Sequence, residues 1–241
     1  MRELYEDARY FLRKKAFWIP VVLTAFLSYG YLWTHPSMGV DDTCVQRYFA
    51  DGFAPTQGRW TLFLLNKVFH MAEILPVVID FMGVVFLAGA GLIFCILFRR
   101  VSKGRLVFGA YPVFVCLMIS YPLIAEVYVY YLHNGLGLAH LLMAFALWLL
   151  YTGKGWKRFA AASACLAVMA SCYESVAAVY LFGILACIML EIIYGQQEYT
   201  FVSYVKKILY CVLPLAVGII IRSLISQLIM AIMGVDKQIE H

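Results

Sequence analysis

Seven long apolar segments, separated by loops that alternate between basic and acidic, decide what this chain can become. They run at about Ala16–Trp33, Ile74–Phe98, Leu106–Leu123, Gly135–Tyr151, Phe159–Ala170, Ser175–Tyr194 and Ile208–Met233. A run of about 20 apolar residues spans the hydrocarbon of a bilayer, where backbone polar groups must be satisfied within the segment itself. Phe159–Ala170 is short for a crossing and calls for tilt or for extension at one end. The runs are continuous, which excludes the alternating ten-residue strands of an outer-membrane barrel. Charged residues make up 14% of the chain, against about a quarter in a soluble domain. The sequence therefore predicts an all-α protein, a polytopic transmembrane helical bundle of about seven spans. No internal repeat or low-complexity tract is visible.

The basic residues orient the bundle. Arg13-Lys14-Lys15, then Arg99, Arg100, Lys103 and Arg105, then Lys154, Lys157 and Arg158, then Lys206 and Lys207 occupy every second loop. Basic loops stay in the cytoplasm, so the N-terminus is inside and the seventh span ends outside. The opposite loops hold Asp41, Asp42, Asp51, Glu73, Glu126, His133 and Glu174. The net charge of +5 thus reflects topology and does not point to nucleic acid. Residues 1–15 read as a cytoplasmic amphipathic helix lying in the headgroup plane, with Leu4, Ala8, Phe11 and Leu12 on its apolar face. Residues 16–241 read as a single transmembrane domain. The first span lacks a small-residue cleavage site and is read as a retained helix, not a signal peptide. Five of the seven cysteines, Cys95, Cys116, Cys165, Cys187 and Cys211, lie inside apolar segments, where Cys behaves as a small hydrophobe. Cys44 and Cys172 fall near segment ends and leave one disulfide open. No metal-type cysteine spacing is present.

The chemistry concentrates in the first outer loop, residues 34–73. It contains Gly39-Val40-Asp41-Asp42-Thr43-Cys44-Val45-Gln46-Arg47 and, further on, Gln57-Gly58-Arg59-Trp60. Adjacent carboxylates at a membrane surface raise each other's pKa and need cations, donors or water. Thr43 with Gln46 reads as a capping box, so a short helix should start after the acid pair and offer its free N–H groups to it. The plainer reading is that Asp41 and Asp42 end a helix and touch water. A second amphipathic helix is predicted from about Arg59 to Met71, with Trp60, Leu64, Val68 and Met71 as its apolar stripe. Arg59, Asn66, His70 and Glu73 form its polar stripe, and it should float on the outer leaflet.

Three further features lie on the same side. Glu126 opens an aromatic run that ends at His133-Asn134, and Tyr173-Glu174 sits in a tight turn between apolar segments. Arg222 lies inside the last span, where a charge is expensive and faces a cavity or a partner. Each has a plainer reading. Glu126 is then a loop acid within an interfacial tyrosine belt, Glu174 a surface turn, and His133 a headgroup-level residue. Arg222 then snorkels, or pairs structurally with Glu126 or Glu174. Together these groups describe a polar cavity open to the outer leaflet, and two chemistries fit it. In group transfer from a lipid-linked phosphate, a carboxylate takes the acceptor's proton while cations hold the leaving phosphate. In a transporter or flippase component for a lipid-linked glycan or small solute, charges should sit at mid-membrane on several helices. Only Arg222 is that deep, which favours the enzyme.

Within this pattern, Val40-Asp41-Asp42-Thr43 with Arg47, followed by Gln57-Gly58-Arg59-Trp60, resembles the bacterial O-antigen glucosyltransferases of the Gtr type. An acid pair after the first span, followed by a two-helix outer loop, is similar to the GT-C membrane glycosyltransferases more broadly. Ala170-Ser171-Cys172-Tyr173-Glu174-Ser175 resembles that family's later Tyr-Gln-Ala-like turn, with Glu174 where Gln is more usual. The resemblance implies transfer of a hexose, glucose in the Gtr type, from a polyprenyl-phosphate sugar to a surface or lipid-linked glycan. That transfer would occur outside the bacterial cytoplasmic membrane. It implies a sugar-lipid flippase and a donor-synthesising enzyme as partners, and it explains why no phosphate-cradling Gly-rich loop is needed. Members usually have more than seven spans, so a truncated or minimal version is expected, with part of the acceptor site elsewhere. In this frame Asp42 is the preferred base, and Asp41 holds the acceptor or a divalent cation. Arg59, Arg222 and Arg47 hold the donor phosphate. Glu126, Glu174, His133 and Tyr173 line the acceptor side or the cavity.

Overall fold

The structure, a computed structural model, describes residues 2–35, 53–69, 76–122, 124, 135–194 and 200–234. Among these the chain forms ten helices and no strand. They are α1 (Arg2–Leu12), α2 (Lys15–Thr34), α3 (Phe53–Thr56), α4 (Trp60–Phe69) and α5 (Pro76–Val101). There follow α6 (Ala110–Ile119), α7 (Leu136–Thr152), α8 (Trp156–Cys172), α9 (Val176–Tyr194) and α10 (Phe201–Met233).

Each apolar segment is thus a helix, but they are unequal. Four of them, α2, α5, α9 and α10, are long and apolar enough to cross a membrane. At 17 residues each, α7 and α8 rise about 25 Å, short of the roughly 30 Å of hydrocarbon. The 10-residue α6 is shorter than the segment expected from Leu106 to Leu123. It stops where the Ser120 hydroxyl donates back to the Cys116 carbonyl at 2.8 Å, just before Pro122. The count of about seven spans therefore reduces to four of sufficient length among the described residues. The short fifth segment gains length at both ends, reaching Trp156 and Cys172.

The bundle centres on α5, α7 and α8, with α10 laid along α8. Helices approach closely in an apolar bundle where small residues leave room for backbone contact. Gly137 of α7 shows this directly, since a Cβ there would stand 2.0 Å from the Gly83 carbonyl oxygen of α5. Tyrosine hydroxyls tie the outer helices inward. Tyr29 of α2 donates to the Ile119 carbonyl at 2.7 Å, and Tyr180 of α9 to the Cys211 carbonyl at 2.7 Å.

α10 begins at Phe201, earlier than expected, and takes Lys206 and Lys207 into the helix. Lys207 is accommodated because it bonds Glu191 of α9 and lies 4.4 Å from the Tyr151 ring centroid. α1 docks on the protein. Phe11 is fully buried against Phe17 and Tyr111, and Asp7 bonds Arg100 at the end of α5. Leu12, on the apolar face expected for α1, is half exposed, because the helix is held to the protein by Phe11 and Asp7, which lie to one side of it.

Candidate functional site

The outer loop is fastened to the last helix through its main chain. α3 ends in a turn in which the Gly58 N–H donates to the Pro55 carbonyl at 2.9 Å and the Arg59 N–H to the Ala54 carbonyl at 2.8 Å. Gly58 has φ +76°, a left-handed conformation that glycine adopts without steric cost. The end of a helix leaves carbonyls unpaired, and these must find donors elsewhere. Two residues of α10, four apart and so on one face, reach this turn, one as a second donor to a carbonyl already bonded and one as a donor to two further carbonyls. Ser226 donates its hydroxyl to the Pro55 carbonyl. Arg222 donates from Nη2 to the Gln57 carbonyl at 2.9 Å and from Nε to the Gly58 carbonyl at 3.2 Å. The fit is close, for a Cβ on Gly58 would lie 2.6 Å from Arg222 Nη2.

The same guanidinium reaches the turn between α8 and α9. Arg222 Nη2 lies 2.9 Å from Glu174 Oε2, with the arginine side chain 15% exposed and the glutamate 67%. Of the two readings of Arg222, the structure shows the pairing with Glu174. Exposed as it is, Glu174 contributes about 0–1 kcal/mol through the ion pair. The charge-assisted bonds to the two carbonyls contribute more, about 1.5–3 kcal/mol each. Among the described residues, Arg222 Nη1 takes no partner and remains a donor edge.

Arg59 meets this turn from the other side. Its guanidinium carbon stands 5.7 Å from the Tyr173 ring centroid, within reach of a cation–π contact. Two residues further on, Thr61 shares a hydroxyl bond with Ser171 at the end of α8. The first turn of α4 is therefore wedged into protein. Trp60, Leu62 and Phe63 are buried, while Leu64 and Val68 are exposed. Of the expected apolar stripe, Trp60 is thus covered by protein where α4 packs on α8 and α10, while Leu64 and Val68 stay on the protein's surface.

Four of the sequence-derived site residues, Arg59, Tyr173, Glu174 and Arg222, are thus gathered from three distant segments into one cluster. Asp41, Asp42, Arg47, Glu126 and His133 lie outside the described residues, as do Cys44 and the short helix expected after Thr43. Cys172 is a buried free thiol. No group of three His, Cys, Asp or Glu side chains converges as a metal site among the described residues. Sequence reasoning missed Ser226 and the Thr61–Ser171 bond. Ser226 was open to discovery, because it lies one turn after Arg222 on the same helical face.

The cluster is a cationic corner with two guanidiniums, one aromatic ring and one exposed carboxylate, at the end of the loop that carries the acid pair. The model of one protein family, described as Glucosyl transferase GtrII, matches residues 30–238. No curated protein and no solved structure matches the chain.

Proposed function

The chain belongs to the glucosyl transferase GtrII family, a membership that implies glucosyltransferase activity, and from that premise we propose that its donor is a polyprenyl-phosphate sugar. The hexose, glucose, passes to a cell-surface or lipid-linked glycan on the outer face of the bacterial cytoplasmic membrane, with the N-terminus inside. Asp42 takes the proton from the acceptor hydroxyl, and Asp41 holds the acceptor or a divalent cation. The acceptor oxygen then bonds to the anomeric carbon as the bond from that carbon to the phosphate oxygen breaks. Arg59, the Nη1 edge of Arg222, and Arg47 receive the negative charge that grows on the departing polyprenyl phosphate. Glu174, Tyr173, Glu126 and His133 line the acceptor side.

The observation that carries this reading is the convergence of Arg59 and Arg222 on the Tyr173-Glu174 turn. Guanidinium donates charge-assisted bonds to phosphate oxygens, and here Arg222 offers its Nη1 edge beside Arg59. The test uses the purified chain in lipid with polyprenyl-phosphate glucose and a glycan acceptor, following release of the lipid phosphate. Release is expected with the lipid donor and not with nucleotide-linked glucose. Glucosylation from the nucleotide donor alone would overturn the reading.

A further inference from the structure

A cavity of about 440 Å³ lies between α4, the first turns of α5 and the start of α7. Its walls include Leu62, Leu65 and Phe69 of α4, Met82 of α5, Gly135, and Leu138 of α7, and among the described residues every one lining it is apolar or glycine. Cavities of about 300–1,000 Å³ hold small molecules, and specificity normally comes from a few polar groups in the wall. The described part of this wall offers none, which suits a hydrocarbon chain better than a sugar or a peptide. Apolar cavities of this kind exclude water and accept hydrocarbon. Phe69 is 61% exposed and Met82 45% exposed, so apolar side chains on both sides of the cavity continue to the protein surface. α5 is one of the helices long enough to cross a membrane, and a surface of that kind on a spanning helix faces lipid.

Leu62 and Gly135 bring the cavity next to the cationic corner. Arg59 immediately precedes α4, and Leu62, three residues on, lines the cavity. A Cβ on Gly135 would lie 2.6 Å from Leu62 Cδ2 and 3.0 Å from Cys172 Cβ, and Cys172 leads directly into Tyr173 and Glu174. One molecule with an anionic head and a hydrocarbon tail satisfies both places at once. We propose that this cavity takes the headgroup-proximal part of the polyprenyl chain of the donor while its phosphate rests at Arg59. The inference rests on the polyprenyl-phosphate reading above and assigns that donor's tail to a defined part of the fold.

The test measures binding of two probes to the purified chain in detergent, methyl phosphate and a long-chain polyprenyl monophosphate. The parent should bind the long chain at least tenfold more tightly than methyl phosphate, which has no tail to place in the cavity. Leu65→Trp and Met82→Trp, which fill the cavity from α4 and from α5, should each reduce that advantage at least tenfold. If the parent binds both probes equally, or the filled variants keep the full preference, the cavity does not hold the tail. Binding of neither probe would instead sink the donor reading itself. A second measurement needs no variant: a polyprenyl phosphate with a photoreactive group in the isoprene units next to its phosphate is cross-linked to the parent. Adducts on α4, α5 or the start of α7 support the assignment, and adducts confined to other helices overturn it.

Discussion

Asp42→Asn is expected to reach the membrane and fold like the parent while transferring glucose about 10²–10⁴-fold more slowly. The amide keeps the size and hydrogen-bonding shape of the carboxylate but cannot take a proton from the acceptor hydroxyl. The acid pair lies upstream of the anchored turn at Gln57-Gly58-Arg59, which Arg222 and Ser226 hold on α10. That anchor lies at residues 55–58, so losing one carboxylate upstream leaves the loop fastened. Asp41→Asn should weaken acceptor or cation binding with a smaller effect on turnover. The measurement is initial rate in lipid, with thermal denaturation as the control for folding. Near-normal turnover in Asp42→Asn with a dead Asp41→Asn would exchange the two roles. Two active variants would remove the acid pair from catalysis.

Arg222→Lys is expected to lower both the melting temperature in detergent and the stabilisation given by added polyprenyl phosphate. A lysine ammonium is a single point and cannot span the Gln57 and Gly58 carbonyls together with Glu174. Losing one charge-assisted bond to a carbonyl costs about 2 kcal/mol, on the order of 4–8 °C for a chain of this size. Arg59→Lys should behave differently. Its guanidinium lies over the Tyr173 ring rather than on the Gln57 and Gly58 carbonyls, and a lysine there cannot reproduce a two-bond grip on phosphate, so the ligand-induced rise should be lost. The pair of variants separates holding the loop from holding the phosphate. If Arg222→Lys loses apo stability but keeps the full rise with polyprenyl phosphate, Arg222 is a clamp alone. If Arg59→Lys keeps that rise, Arg59 is not a phosphate ligand.

The helices were legible because apolar runs and their basic flanks are long-range patterns that one sequence carries openly. The need of Arg222 for a partner was equally legible, since a charge inside an apolar span has few tolerable fates. Its main-chain partners were not. The acceptors are carbonyls of Gln57 and Gly58, and every residue has a carbonyl, so nothing in the side chains at 57 and 58 marks them. Gly58 gave the one local hint, because a left-handed turn there leaves room for a guanidinium. Span length was legible only where the run was unbroken. α6 ends at Ile119, shortly before Pro122, which disfavours helical conformation at Tyr121 before it, whereas hydropathy alone carries the segment on to Leu123. α10 extends past its basic pair because Lys207 finds Glu191 on another helix, a contact that depends on packing and leaves no local trace. The seating of α4 was hidden for the same reason. Its periodicity marks an apolar stripe, but the hydroxyl bond between Thr61 and Ser171 that holds its first turn on α8 leaves no trace in that pattern.

The most direct measurement is the structure of the chain in a lipid nanodisc with a bound polyprenyl monophosphate. The account places the phosphate beside Arg59 and the Nη1 edge of Arg222, on the membrane face that carries the Asp41-Asp42 loop. A phosphate held instead among Arg99, Lys103 and Arg105, at the opposite end of α5, would contradict it.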